Sequence, residues 1–90
     1  MINEEVTIGK NLNIGPGVLI GKRGGGHQGA PVIGDDVYIG VGAKILGNVK
    51  IGNNVKIGAN SVVMSNVPDN VTVFGVPARV IGPSFKRKNT

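Results

Sequence analysis

Residues 33–63 read IGDDVYIGVGAKILGNVKIGNNVKIGANSVV, and a β-branched aliphatic residue recurs at every sixth position of this stretch. The recurring positions are Ile33, Ile39, Ile45, Ile51, Ile57 and Val63. An α-helix has a period of about 3.6 residues and a strand a period of about 2, so neither produces this spacing. A short strand followed by a corner does, because residues two apart share one face and the glycine after most of these positions supplies the angles of a turn. The six-residue repeat therefore predicts an all-β protein, a parallel β-helix.

The same repeat is present nearer the N-terminus. Ile8, Ile14 and Ile20 are also six residues apart, and a glycine follows each of them. If each hexad is one side of a triangular coil, one coil precedes residue 22 and two follow at 31–48 and 49–66. Asparagine and aspartate tolerate the left-handed conformation of tight corners. We therefore expect the polar residues between the hexads to be corner residues: Asp35, Asp36, Asn48, Asn53, Asn54 and Asn60.

Residues 22–30 (KRGGGHQGA) interrupt the repeat and contain no large aliphatic side chain. They cannot contribute to the core, so we expect them to protrude as a loop, the kind of segment that carries chemistry on a rigid scaffold. His27 is the only histidine of the chain, and imidazole is the side chain suited to proton transfer near neutral pH. From its position alone, His27 is compatible with both a solvent-exposed loop histidine and a catalytic one. The glycines of this loop do not precede an amphipathic helix, so a dinucleotide-binding motif is not indicated.

The repeat loosens after Val67, where we expect a partial last coil in which Phe74 helps to cap the core. The solenoid domain is predicted over residues 1–82 and a basic, disordered tail over residues 83–90. A chain of 90 residues buries only about 60% of its unfolded surface, which favours oligomerisation. The chain shows no apolar run of the roughly 20 residues that span a membrane and no signal peptide. We therefore expect a cytoplasmic protein with no membrane partner.

The amino-acid composition restricts the classes of ligand that we expect the chain to bind. The formal net charge is +5, and Lys44, Lys50 and Lys56 recur at six-residue spacing, which predicts that they line one position of the solenoid. Only three residues are aromatic (Tyr38, Phe74 and Phe85), which is too few for a nucleic-acid stacking platform, so an anionic small molecule is the favoured partner. The absence of cysteine excludes disulfides and a thiolate nucleophile. A zinc hydrase would need about three histidines, and we expect no metal.

Three segments between Pro31 and Gly82 resemble the C-terminal part of bacterial serine acetyltransferases, members of the hexapeptide-repeat acyltransferase superfamily. They are residues 37–47 (VYIGVGAKILG), 55–63 (VKIGANSVV) and 76–82 (VPARVIG). The glycine-rich loop before Pro31 is similar as well. The resemblance implies a left-handed parallel β-helix that forms a homotrimer. It also implies an acetyl-CoA site in the groove between neighbouring subunits.

The resemblance assigns roles to individual residues. It places the pantetheine arm of acetyl-CoA along four positions: Gly40, Val41, Gly58 and Ala59. It assigns the cofactor phosphates to three cations: Lys22, Lys56 and Arg79. His27 becomes the candidate general base that activates the hydroxyl of serine or of a sugar for direct attack on the thioester. Backbone N–H groups at a glycine corner would stabilise the oxyanion.

Two departures from the family keep a second hypothesis open. Serine acetyltransferases have a catalytic histidine upstream of the loop, whereas no histidine precedes His27. They also have a helical N-terminal domain that this sequence lacks. The first hypothesis is an acetyl-CoA-dependent O-acetyltransferase. The alternative is a non-catalytic trimeric β-helix that binds CoA or serves as an assembly module.

The expected trimer leads to a prediction about mass in solution. The first coil has no partner on one side, and open strand ends associate readily. We expect trimers that stack through this coil or aggregate. Multi-angle light scattering measures the mass directly, and a monodisperse monomer would contradict the expectation.

Overall fold

The computed structural model describes residue 2, residues 5–22 and residues 29–84. Every regular element in this part of the chain is a β-strand: β1 Thr7–Ile8, β2 Asn13–Ile14, β3 Leu19–Gly21, β4 Val32–Ile33, β5 Tyr38–Ile39, β6 Lys44–Leu46, β7 Lys50–Ile51, β8 Lys56–Ile57, β9 Val62–Val63, β10 Val71–Phe74 and β11 Arg79–Pro83. Within the described ranges no helix is long and apolar enough to span a membrane. His27 and residues 85–90 lie outside the described residues.

The strands form three sheets that run along a triangular prism. Face 1 contains β1, β4 and β7, and face 3 contains β3, β6 and β9. Face 2 contains β2, β5, β8 and β10 in spatial order, with β11 at its edge. All neighbours are parallel except β10 and β11, which are antiparallel. The predicted left-handed parallel β-helix is confirmed.

Strand register fixes the length of each coil. Ile33 pairs with Ile51, the third of the six-residue positions that follow it, so a regular coil is three hexads long. Ile8 pairs with Ile33, so the segment that holds the predicted loop adds seven residues to a regular coil. Ile57 pairs with Val73, so the last turn is two residues shorter than three hexads. The partial last coil is confirmed, and it ends in the β10–β11 hairpin.

The core is a narrow stack of aliphatic side chains from successive coils. The six-residue positions from Ile20 onward are buried: Ile20, Ile33, Ile39, Ile45, Ile51, Ile57 and Val63. In the first coil, Ile8 is 37% and Ile14 is 42% exposed. Their outer side has no neighbouring strand in the described chain. Within the described residues, the first coil is therefore less buried than the coils that follow it.

The corner between face 1 and face 2, the asparagine corner, consists of residues 9–11, 34–36, 52–54 and 69–70. A ladder of hydrogen bonds joins its coils, because each side-chain oxygen accepts from the backbone of the coil before it. Lys10 N–H donates to Asp35 Oδ1 at 2.8 Å, and Asp35 N–H donates to Asn53 Oδ1 at 2.7 Å. Asn53 N–H continues the ladder to Asp69 Oδ1 at 2.7 Å. Asp35 is thus a corner residue, as predicted.

The next residue in each coil of the asparagine corner is left-handed. These residues have φ between 55° and 61°: Asn11, Asp36, Asn54 and Asn70. In the first three of these coils a glycine lies two positions earlier, and none of the three has a positive φ, so the prediction that this glycine supplies the corner angles is wrong. Asn and Asp adopt the left-handed region more readily than other residues with a side chain. Asn54 also donates from Nδ2 to Asn70 Oδ1 at 2.9 Å and to the Ser84 carbonyl at 3.0 Å.

Two further expectations need correction. The first concerns Lys44, Lys50 and Lys56, which lie on three different faces, on β6, β7 and β8. Because a coil is three hexads long, a spacing of one hexad moves a residue to the next face, and only a spacing of three hexads keeps it on the same one. The three lysines therefore do not line one position of the solenoid.

The second correction is that Phe74 does not cap the core. Val73 fills the last core position, while Phe74 is 52% exposed. The reason is the strand alternation, which turns the residue after a core position away from the interior. β11 extends to Pro83, one residue past the predicted domain boundary, and Ser84 is buried.

The asparagine corner generates a stability prediction. Asn54→Ala removes the Nδ2 hydrogen bonds and places alanine at a φ of 55°. We expect it to lower the free energy of unfolding by about 2–3 kcal/mol. Asn54→Gly also loses the hydrogen bonds but tolerates the angle, so it should be less destabilised by about 1 kcal/mol. Urea unfolding at one fixed protein concentration measures both, and equal losses would mean that the backbone angle imposes no constraint.

Candidate functional site

The corner between face 2 and face 3, the glycine corner, contains residues 15–17, 40–42, 58–60 and 74–75. Four predicted cofactor-binding residues lie here in two adjacent coils: Gly40, Val41, Gly58 and Ala59. The side chains of Val41 and Ala59 are exposed. The structure therefore brings together the four positions that the sequence assigned to a pantetheine arm.

Close packing of the coils explains why glycine occurs at this corner. A Cβ atom on Gly40 would lie 2.7 Å from the Ala59 backbone nitrogen, which is closer than real Cβ contacts. A Cβ on Gly15 would likewise lie 2.9 Å from the Val41 nitrogen. Gly40 N–H donates to the Ile57 carbonyl at 2.8 Å, which keeps the coils in register. In the first three coils of this corner, backbone therefore packs closely against the coil that follows.

Two predicted phosphate-binding cations flank this corner on face 2. Lys56 is exposed on β8, two residues before Gly58. Arg79 is exposed on β11 and lies opposite Phe74 in the antiparallel pair. Six of the predicted site residues are thus on or beside the glycine corner.

Lys22 lies elsewhere. It follows β3, and its Nζ is 2.6 Å from Glu5 Oε1 in an ion pair. This position is at the third corner of the prism, between face 3 and face 1. There Gly47 N–H donates to the Gly21 carbonyl at 2.9 Å. Within a single chain, Lys22 does not join the other predicted cofactor residues.

The predicted loop also starts and ends at the third corner. Its first residue, Lys22, follows β3, and at its other end a Cβ on Gly29 would lie 2.7 Å from Asn48 Cγ. Residues 42–47 cross face 3 from the glycine corner to the third corner. Five steps of roughly 3.3 Å make this face about 16 Å wide. The ends of the His27 loop are therefore separated from the chain's own glycine corner by a full face.

The charges of the described residues are distributed unevenly. Three of their four carboxylates lie at the asparagine corner, Asp35, Asp36 and Asp69, and the fourth, Glu5, is paired with Lys22. The glycine corner contains no acidic residue, and Lys56 and Arg79 flank it. This distribution favours an anionic ligand at the glycine corner. In the described ranges no group of three His, Cys, Asp or Glu residues is placed to hold a metal ion.

One further residue of this corner, Phe74, was not among the predicted site residues. The Phe74 ring lies against Gly58, where it would contact an added Cβ. The sequence did contain a signal, because Phe74 occupies the place that Gly40 and Gly58 hold in earlier coils, directly after a core residue of face 2.

The close approach at Gly40 generates a second prediction. Gly40→Ala should lower the free energy of unfolding by about 1–3 kcal/mol, because the new methyl group must displace the backbone of the next coil. Gly82→Ala is the matched control, since nothing lies within 4 Å of its Cβ position, and its effect should stay within about 0.5 kcal/mol. Urea unfolding compares the two. Similar losses in both would show that the corner does not depend on this contact.

Comparison with known proteins agrees with this geometry. The family model described as bacterial transferase hexapeptide (six repeats) matches residues 30–65. A serine acetyltransferase of Staphylococcus aureus is 49% identical over 85 residues, which cover 90% of this chain and 38% of that protein. The chain therefore spans well under half the length of this relative.

Two solved structures are similar over most of the chain. The serine acetyltransferase of Brucella abortus in complex with coenzyme A has 45% identity and a TM-score of 0.90, covering 97% of this chain and 35% of that one. The enzyme of Neisseria gonorrhoeae in complex with serine has 52% identity and a TM-score of 0.78, covering 86% and 32%. On its repeat, its fold and these identities, the chain belongs to the hexapeptide-repeat acyltransferase superfamily, within which it is similar to part of the bacterial serine acetyltransferases.

Proposed function

We propose that the chain binds acetyl-CoA along the glycine corner and transfers the acetyl group to the hydroxyl of serine or a similar small acceptor. The observation that carries the proposal is the assembly of Gly40, Val41, Gly58 and Ala59 on one corner with cations beside it. A similar protein forms a complex with coenzyme A, and another forms one with serine. A sugar hydroxyl is the other acceptor that the sequence suggested.

The positions of the loop and the corner support a site shared between two subunits. His27 belongs to a loop that begins and ends at the third corner, whereas the cofactor positions line the glycine corner. A homotrimer with cyclic symmetry repeats one heterologous contact, in which two different surfaces meet. If the third corner of one subunit packs beside the glycine corner of the next, the loop reaches the neighbour's cofactor. Lys22 would then approach the phosphates from the neighbouring subunit, exchanging its ion pair with Glu5 for one with the ligand.

The proposed chemistry is direct transfer. His27 accepts the proton of the acceptor hydroxyl while the hydroxyl oxygen attacks the thioester carbonyl carbon. Backbone N–H groups at a tight corner stabilise the oxyanion of the tetrahedral intermediate. When the intermediate collapses, the C–S bond breaks and the protonated His27 returns its proton to the sulfur of CoA. No acyl-enzyme is needed, in keeping with a chain that has no cysteine.

A non-catalytic trimer that binds CoA or serves in assembly is the second candidate. It is favoured by the lack of any histidine before His27, because the resemblance implies an additional catalytic histidine upstream of the loop. In this case the glycine corner would keep its ligand while turnover is absent. The cytoplasmic location stays a prediction under both candidates.

Calorimetric titration with CoA and an acetyl-transfer assay with serine test the proposal together. We expect one CoA per subunit and release of free CoA thiol when acetyl-CoA and serine are both present. His27→Ala should lower kcat by roughly 100-fold or more, because the general base is lost, with CoA affinity unchanged. Binding without turnover in the unsubstituted protein would support the non-catalytic candidate. Absence of CoA binding would contradict the transferase and leave the assembly module as the remaining candidate.

Mixed oligomers determine whether the site is shared. His27→Ala disables the loop, and Ala59→Trp fills the glycine corner at an exposed position. Each variant should be inactive alone. In trimers formed by coexpressing the two, roughly a quarter of the sites combine an intact loop with an intact neighbouring corner, so activity should return. If loop and corner act within one chain, the mixtures stay inactive.

A further inference from the structure

Phe74 ends a column of residues that runs along the glycine corner. In the three preceding coils the column consists of glycines: Gly15, Gly40 and Gly58. Val73 pairs with Ile57, so Phe74 follows its core residue as Gly58 follows Ile57. At the fourth position of a backbone strip, the chain therefore presents a large aromatic ring.

The environment of this ring is unusual for a phenylalanine. It is 52% exposed and does not contribute to the core. The ring lies against Gly58, which has no side chain to displace it. The previous coil thus contacts the ring at Gly58, while about half of the residue stays exposed. A supported, exposed aromatic ring offers a flat apolar surface on which another ring can stack.

Cations lie next to the ring. Arg79 is directly opposite Phe74 in the β10–β11 pair, and residues so paired place their side chains on the same face of a sheet. Lys56 is exposed on the neighbouring strand β8. The described carboxylates lie at the asparagine corner or in the Lys22 ion pair. An aromatic ring beside two cations is a combination that suits a nucleotide, with stacking for the base and charge for the phosphates.

We propose that the Phe74 ring is the platform on which the adenine base of the acyl carrier stacks. This proposal rests on the proposed function and adds to it the position of the nucleotide end. Arg79 and Lys56 face the phosphates next to the base, and the pantetheine arm continues past Ala59 and Val41 toward the earlier coils.

The direction of the ligand fits the position of the loop. Coils are stacked about 4.8 Å apart. The loop of residues 22–30 connects the first coil to the second, whereas Phe74 lies in the last one. A ligand with its base on Phe74 therefore extends its thioester end toward the coils from which the His27 loop emerges.

Two ligands isolate the contribution of the nucleotide end. CoA and 4′-phosphopantetheine share the pantetheine arm, but only CoA has the base. We expect Phe74→Ala to weaken CoA by roughly tenfold while changing phosphopantetheine less than about twofold. Val32→Ala is the control, because Val32 is 39% exposed on face 1, away from the glycine corner, and it should change neither affinity.

A fluorescent variant tests stacking directly. The chain has no tryptophan, so Phe74→Trp introduces a single reporter at the platform. Its emission should be quenched by CoA and unchanged by phosphopantetheine, with CoA affinity equal to that of the unsubstituted protein or tighter.

The outcomes separate this proposal from the proposed function. If the unsubstituted protein binds CoA but Phe74→Ala binds it equally well, or loses both ligands to the same extent, the platform is wrong and the proposed function stands. If the unsubstituted protein binds neither ligand, both are overturned.

Discussion

The backbone hydrogen bonds between strands of successive coils are the constraint on which the rest of this structure depends. Strands of two or three residues have no stability of their own, so each exists only because a neighbour one coil away completes its hydrogen bonds. This pairing of strands between coils requires a regular coil to be three hexads long. Both departures from this length, the long spacing from Ile8 to Ile33 and the short one from Ile57 to Val73, arise between face 3 and face 1. Length changes are thus confined to the third corner.

The two remaining corners satisfy the same constraint by opposite means. At the asparagine corner, side-chain oxygens of Asp35, Asn53 and Asp69 accept hydrogen bonds from backbone N–H groups that the turn leaves without strand partners. At the glycine corner, side chains are removed so that backbone can approach backbone, as Gly40 approaches Ala59. The asparagine corner is therefore polar and acidic, whereas the glycine corner has closely packed backbone and two cations beside it. The surface that suits an anionic ligand follows from how the coils pack.

Much of this architecture could be predicted from the sequence. The six-residue spacing identified the buried residues from Ile20 to Val63, the corners and the place where the regular coil length is interrupted, because burial alternates in a short strand. The spacing alone could not specify handedness, which came from the family resemblance. It also gave the wrong role to the glycine after each core residue, since a period shows where a corner lies and not which of its residues is left-handed. Asn54, two positions later, adopts that angle.

The residues of the candidate site were predicted in part, but their positions on the prism were not. Gly40, Val41, Gly58 and Ala59 were identified by resemblance, and the coil register brings them together. Lys22 was grouped with them because sequence motifs carry no information on which edge of the prism a residue occupies. Phe74 was predicted to help cap the core because its hydrophobicity was given more weight than its place in the repeat. The strand register places Phe74 level with Gly58, directly after a core position. This register can be read from the sequence only when the shortened last coil is recognised.

The seven additional residues at the third corner have an evolutionary consequence. The strand pairs of the described residues are complete without them, so their number and identity can change while each of these hydrogen bonds is kept. Substitutions at the glycine corner, in contrast, alter packing between coils and are restricted by stability. Under the proposed function, acceptor preference and carrier recognition are thus under separate selective pressures within one short chain. A scaffold with that function can diversify in the acceptors that it modifies while it continues to use the same activated donor.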